Sequence, residues 1–167
     1  MSKNIVLAVH AAPGGDAAQH VSAAAVMTRE LSRDSGDHVI VLHVHEFSTG
    51  RYGRIRVDCA EGEGERTVDA VVADLKAHDV SAEAEIRETH VGHIASTILA
   101  AAHDHEARLV VLGSGSRTDL PRVPLGSVAT RLLHMSTRPV LIVPRPDKAA
   151  QPAEATEQSA AAAATQV

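Results

Sequence analysis

Leu109-Val110-Val111-Leu112-Gly113-Ser114-Gly115-Ser116-Arg117-Thr118-Asp119-Leu120-Pro121-Arg122-Val123-Pro124-Leu125-Gly126-Ser127 joins an unbroken apolar run to a helical pattern through a polar, glycine-studded loop. A run that is apolar at every position suits a strand covered on both faces, as in a parallel sheet. Beyond the loop, Val128, Ala129, Leu132 and Leu133 share one helical face. The loop thus sits between a strand's carboxyl end and a helix's amino end. Phosphate is held at such a place by backbone N–H groups among residues too small to block it. Gly113, Gly115, Gly126 and Ser127 are residues of that kind. Two familiar fingerprints fit poorly: the dinucleotide pattern needs a glycine at Thr118, and the chain has no Walker-type glycine-lysine pair.

The same grammar repeats outward from this loop. Ile5 to Val9, Val39 to Val44 and Val140 to Val143 are further apolar runs, read as the first, second and fifth strands around a fourth at Leu109 to Leu112. Ala82 to Glu88 alternates small or apolar residues with charged ones, the pattern of a half-exposed third strand at a sheet rim. Helical stripes separate them. Val21, Ala24, Ala25, Thr28 and Leu31 follow a turn with Asp16 as N-cap; Val68, Val71, Val72 and Leu75 form the next; Ile94, Ala95, Ile98, Leu99 and Ala102 the third. Phe47 to Glu65, with four glycines, mixed charge and a brief Ile55/Val57 alternation, reads as a long loop. The alternation of strand and helix predicts an α/β fold, a doubly wound five-stranded parallel sheet of order 3-2-1-4-5, flavodoxin/Rossmann-like. Residues 1–146 make the domain. Residues 147–167 have too few large apolar groups to bury and read as a disordered Ala/Gln/Glu/Pro tail.

That strand order puts Val140 to Val143 at the other rim, although their sequence is that of a covered strand. An uncovered apolar rim invites pairing. A homodimer through Val140, Leu141, Ile142 and Val143 resolves the conflict.

The formal charge of -5 and only two aromatic residues, Phe47 and Tyr52, argue against nucleic-acid binding, which needs a basic surface or a stacking platform. No apolar run reaches the roughly 18 residues of a membrane span, and the amino-terminal run is too short for a signal peptide, so a cytoplasmic protein is expected. With Cys59 as the single cysteine, neither a disulfide framework nor a cysteine metal cluster is expected.

Arg108 to Pro144, with Leu125-Gly126-Ser127 ahead of a helix and Arg138-Pro139-Val140-Leu141-Ile142-Val143-Pro144 at the end, resembles the universal stress protein family. The likeness extends from Ile5 to Val143. It implies an adenine-nucleotide module, with ATP as ligand, acting in the stress response by ligand-linked protein interaction and not as an enzyme. The family's ATP-binding members carry glycine, two residues, glycine, nine residues, glycine, then Ser or Thr. The positions here are Gly113, Ser116, Gly126 and Ser127. The resemblance implies that Ala8 and Val9 line the cleft, Val44 lies near adenine, Leu112 and Gly113 flank the ligand, and Gly126, Ser127 and Val128 hold phosphates. Arg117 and Arg122 add positive charge on the loop. Ser116 replaces the middle glycine, and His10 stands where those members have an aspartate, which counts against magnesium-assisted binding. Two alternatives follow from these departures: a nucleotide-free dimeric interaction protein, and a weak ATP hydrolase.

Of eleven histidines, His10, His43, His45 and His90 fall at or near carboxyl ends of the first three strands, which brings a metal or pH-responsive cluster into view, but their spacing matches no tight ligand motif. His103-Asp104-His105-Glu106 reads as a solvated helix end, because adjacent helical residues point in different directions. No nucleophile has an assignable base, and the sequence names neither a catalytic residue nor a metal ligand.

Overall fold

A computed structural model describes residues 3–11, 22–51, 53–114 and 125–144. The order is β1 (Asn4–Ala8), α1 (Ala23–Ser35), β2 (His38–Gly50), β3 (Gly53–Arg56), α2 (Glu63–Ala77), β4 (Ala82–His90), α3 (Ile94–Asp104), β5 (Leu109–Gly113), α4 (Ser127–Met135) and β6 (Val140–Val143). Five strands are parallel and lie β4-β2-β1-β5-β6, the order expected for the third, second, first, fourth and fifth runs. The alternating strand, β4, lies at one rim and β6 at the other.

The sheet differs from expectation in a sixth strand. Phe47 to Glu65 is not a long loop: β2 runs on to Gly50 and folds back as antiparallel β3, with Phe47 opposite Arg56 and Gly50 opposite Gly53. β4 occupies one edge of β2 as far as Phe47, so β3 takes the other edge, beyond the point where β1 ends at Ala8 opposite Leu42. The sheet is therefore mixed and six-stranded, not five-stranded and wholly parallel.

Strand alternation sorts the core into two layers. Ile5, Leu7, Val39, Val41 and Val111 pack with Ala24 and Ala25 of α1 and Val68, Val71 and Leu75 of α2. Val6, Ile40, Leu42, Val44, Val110 and Leu112 pack with Ala95, Ile98, Ala101 and Ala102 of α3 and Ala129 and Leu132 of α4. Leu133, expected on the inner face of its helix, is 52% exposed, as is Met135. α1 starts at Ser22, whose hydroxyl accepts from the Ala25 N–H at 3.2 Å, and stops at Gly36, which takes a left-handed φ of 68° and returns its N–H to Ser32. Asp16, the expected cap, and the tail from 147 onward lie outside the described residues.

At the amino ends of the strands a half-buried ion pair ties the sheet together. Asp37, 4% exposed, accepts from the Lys3 N–H at 3.0 Å and from Arg108 Nε at 2.8 Å, and also from the Ser35 hydroxyl and Arg108 Nη2. Burial pushes this carboxyl up, but the bonds from Arg108, Ser35 and Lys3 outweigh burial and hold it below its usual value. A depressed folded-state pKa contributes stability above the unfolded pKa of about 4 and loses it in acid. Asp37→Asn is expected to cost about 2 kcal/mol at pH 7 in urea unfolding. The gap between variant and parent should close as pH falls below 4.

Candidate functional site

Most of the residues expected to hold a ligand come together at the carboxyl edge of the sheet. Ala8 pairs with Leu42 on one side and with Leu112 on the other. Val44 and Leu112, 6% and 5% exposed, belong to the layer under α3 and α4, and Ala8 and Val128 pack against the same layer. Val9 is the exception and turns to the opposite layer, under α1 and α2. The ends of the glycine-studded loop meet: the Ser114 N–H donates to Val143 at 2.9 Å and the Gly126 N–H to the Ser114 carbonyl at 3.1 Å. This seats the first turn of α4 next to the end of β5. Gly126 caps that helix with φ -57° and ψ 154°, no side chain caps it, and its first turn holds no acid. Gly113 and Ser127 are exposed there. Gly115, Ser116, Arg117 and Arg122 lie outside the described residues.

A second group of polar side chains is buried behind this edge, on the α1 and α2 side. Alternation along β2 sends His43 and His45 to the same face as Val39 and Val41, and both rings are buried, at 1% and 2% exposure. The chain leaving β3 lays Asp58 and Cys59 against them. Asp58 Oδ2 is 3.2 Å from His43 Nε2 and 2.9 Å from His45 Nδ1. Cys59 Sγ lies 3.8 Å from each of the same two nitrogens and donates to Asp58 Oδ2 at 3.2 Å. The far nitrogens are also engaged: His43 Nδ1 with the Val9 carbonyl at 3.1 Å, and His45 Nε2 with Glu65 Oε1 at 3.2 Å. α2 closes the chamber through Gly64, where an added β-carbon would come within 2.5 Å of both rings.

Burial raises the Asp58 carboxyl, but bonds from His45, Cys59 and His43 win and hold it at about 2. Burial, helped by the neighbouring Asp58 carboxylate, pushes the Cys59 thiol up to about 11. The thiol is therefore held in its protonated form.

The four strand-end histidines do not form one cluster. His43 and His45 meet, whereas exposed His90 lays its ring against Phe47, 4.2 Å between centroids, and His10 stands exposed past β1. Sequence reasoning missed Asp58, Cys59, Gly64 and Glu65. The single-cysteine count excludes a cysteine-only cluster but not one cysteine among mixed partners. His103 to Glu106 behaves as a helix end: Asp104 pairs with Arg87 at 2.9 Å, His105 with Glu85 at 2.7 Å, and His103 is exposed.

Comparison with known proteins agrees with this architecture. A sequence model described as the universal stress protein family matches residues 1–144. A universal stress protein of Mycolicibacterium smegmatis is 34% identical over 118 residues, 68% of this chain and 38% of that protein, so the chain spans about two-fifths of that relative's length. A universal stress protein structure from Archaeoglobus fulgidus superposes with a TM-score of 0.64 at 20% identity, covering 86% of this chain and 99% of that one. Another from Archaeoglobus fulgidus, in complex with dAMP, superposes at 0.57 with 19% identity, covering 84% and 97%. At these identities the structural likeness shows the fold.

The close seat of Gly64 is measurable. Gly64→Ala is expected to lower the unfolding free energy by about 1–3 kcal/mol, since ring or helix has to shift. Gly113→Ala, whose β-carbon meets nothing within 4 Å among the described residues, should stay within about 0.5 kcal/mol of the parent. Urea unfolding of both variants compares them.

Proposed function

This chain belongs to the universal stress protein family, and on that premise we propose that its carboxyl edge binds an adenine nucleotide, ATP by preference, in a cytoplasmic homodimer that signals stress through protein contacts and not through catalysis. The observation that carries the reading is the closure of the Gly113 to Ser127 loop by the Gly126 to Ser114 bond. It sets a helix start free of acidic side chains beside Ala8, Val44 and Leu112. Anions are favoured at such a start by its N–H groups and dipole. Ala8, Val44 and Leu112 line the base side, Leu112 and Gly113 flank the ligand, and Gly126, Ser127 and Val128 meet the phosphates; Val9, whose side chain lies in the opposite layer and whose N–H and carbonyl are bonded to Leu42 and His43, has no part. The dAMP complex of a structural relative supports the ligand class.

Nucleotide would bind the folded state, stabilise the loop and bias the surface offered to partners. β6 pairs with β5 on one side only among the described strands, and its other edge is where a second copy would join. A second reading, a nucleotide-free dimer, is favoured by His10, which stands exposed in place of the aspartate of ATP-binding members.

Protein purified without added nucleotide, then denatured, is expected to release an adenine nucleotide, and ATP at about 100 times its Kd should add roughly 2.7 kcal/mol of stability. Gly126→Val should abolish both effects without disturbing the backbone, because φ -57° and ψ 154° are open to any residue. No released nucleotide together with no thermal shift at millimolar ATP selects the nucleotide-free reading. Sedimentation equilibrium should return the mass of two chains; the mass of one overturns the dimer.

A further inference from the structure

We propose that His43 Nε2, His45 Nδ1, Asp58 Oδ2 and Cys59 Sγ bind one divalent transition-metal ion of the zinc type. One ligand atom from each of these four residues lies within 4.8 Å of the other three. Zinc bonds of about 2.0–2.3 Å to nitrogen, oxygen and sulfur imply tetrahedral edges of about 3.3–3.6 Å. The five donor pairs with given separations span 2.9 to 3.8 Å. The donors need to move only a few tenths of an ångström.

Three further features point to an ion. The first is the outer contacts of the rings. Metal-bound histidines hand their other N–H to a carbonyl or carboxylate, which fixes the tautomer and aims the free lone pair at the metal. His43 has the Val9 carbonyl in this role and His45 has Glu65. The second is proton supply. A neutral imidazole has one N–H to give, yet each ring faces acceptors at both nitrogens, Asp58 Oδ2 being shared between them. A cation between the rings gives each inward nitrogen lone pair a partner. The third is Asp58 Oδ1, which is buried without a hydrogen-bond partner among the described residues, on a side chain 3% exposed. A cation held on Oδ2 offsets the charge of the whole carboxylate, whose burial is otherwise costly.

The donor set selects the ion class. Two imidazoles and a thiolate favour zinc, cobalt or nickel and disfavour magnesium and calcium, which take oxygen ligands. Four protein donors leave no open position, so the ion is structural: it fastens the turn after β3 to β2, beneath the first turn of α2. Coordination breaks the Cys59 S–H bond, the proton leaves to solvent, and the thiolate electron pair goes to the metal. This site stands apart from the nucleotide reading and does not need it.

The test uses the full chain, stripped with a chelator, and the metals alone as probes. Calorimetric titration with zinc should give one site per chain, and zinc should raise the unfolding midpoint while excess chelator reverses the rise. Cobalt should give tetrahedral visible bands with a thiolate-to-cobalt charge-transfer band in the near ultraviolet. Cys59→Ser should lose the charge-transfer band and about 100-fold or more in zinc affinity. Glu65→Gln, at a half-exposed side chain that leaves all four donors in place, should fold normally and lose about 10–100-fold. Absence of saturable zinc binding to the parent chain overturns the proposal. So does a cobalt spectrum unchanged by Cys59→Ser in a variant whose circular dichroism matches the parent.

Discussion

β2 outruns its neighbour. β1 ends at Ala8 opposite Leu42, while β2 continues to Gly50, so one edge of its later half would present backbone N–H and C=O groups with nothing to pair. Such groups require partners, and the chain supplies them by turning back on itself as β3 and by the Val57 N–H to Glu46 bond at 2.9 Å. The rest of the carboxyl edge follows from this. The return strand delivers Asp58 and Cys59 onto His43 and His45, and α2 then starts on top of them. Without the hairpin, two imidazoles at the end of a core strand would face water instead of a closed polar chamber.

The two ends of the sheet are fastened by different chemistry. At the amino ends, one carboxylate, Asp37, gathers a guanidinium, a hydroxyl and a backbone N–H, and its charges balance within the pair. At the carboxyl ends, two histidines share one buried carboxylate oxygen and lean outward on a carbonyl and on Glu65. The first arrangement is complete as it stands. The second sets acceptors against both nitrogens of each ring, which is the physical difference between a structural ion pair and a receptive site.

What the sequence made legible was what repeats. Five apolar or alternating runs and four helical stripes carry their own period, and the order of the parallel strands follows from handedness and from which run is polar enough for a rim. The hairpin was not legible because β3 packs against no core: Ile55 and Val57 are 57% and 51% exposed, so their alternation marks no buried face, and Arg54 and Arg56 around them read as loop. Arg54 in fact lies over the Phe47 ring at 3.7 Å across the hairpin and pairs with Glu88, 34 residues away in the chain. The polar chamber escaped for a related reason. The His43-x-His45 period places both rings on one face, but Asp58 and Cys59 reach them only through the unread turn, 13 to 16 residues away. Ala8, Val44, Leu112 and Val128, named on the family resemblance, share one layer, whereas Val9 has the opposite parity.

Gly64 gives the edge a mechanical character. A helix whose backbone rests directly on two crossed rings, 4.6 Å apart between centroids and 80° between planes, has one rotational setting, since rolling either way drives a neighbouring side chain into the imidazoles. α2, the hairpin and the end of β2 therefore form a stiff half of the molecule. On the other side, α4 meets the sheet through half-buried Val128 and fully buried Ala129 and Leu132. Opening the carboxyl edge on the histidine side would unseat α2 from the two rings, so that side acts as the fixed jaw.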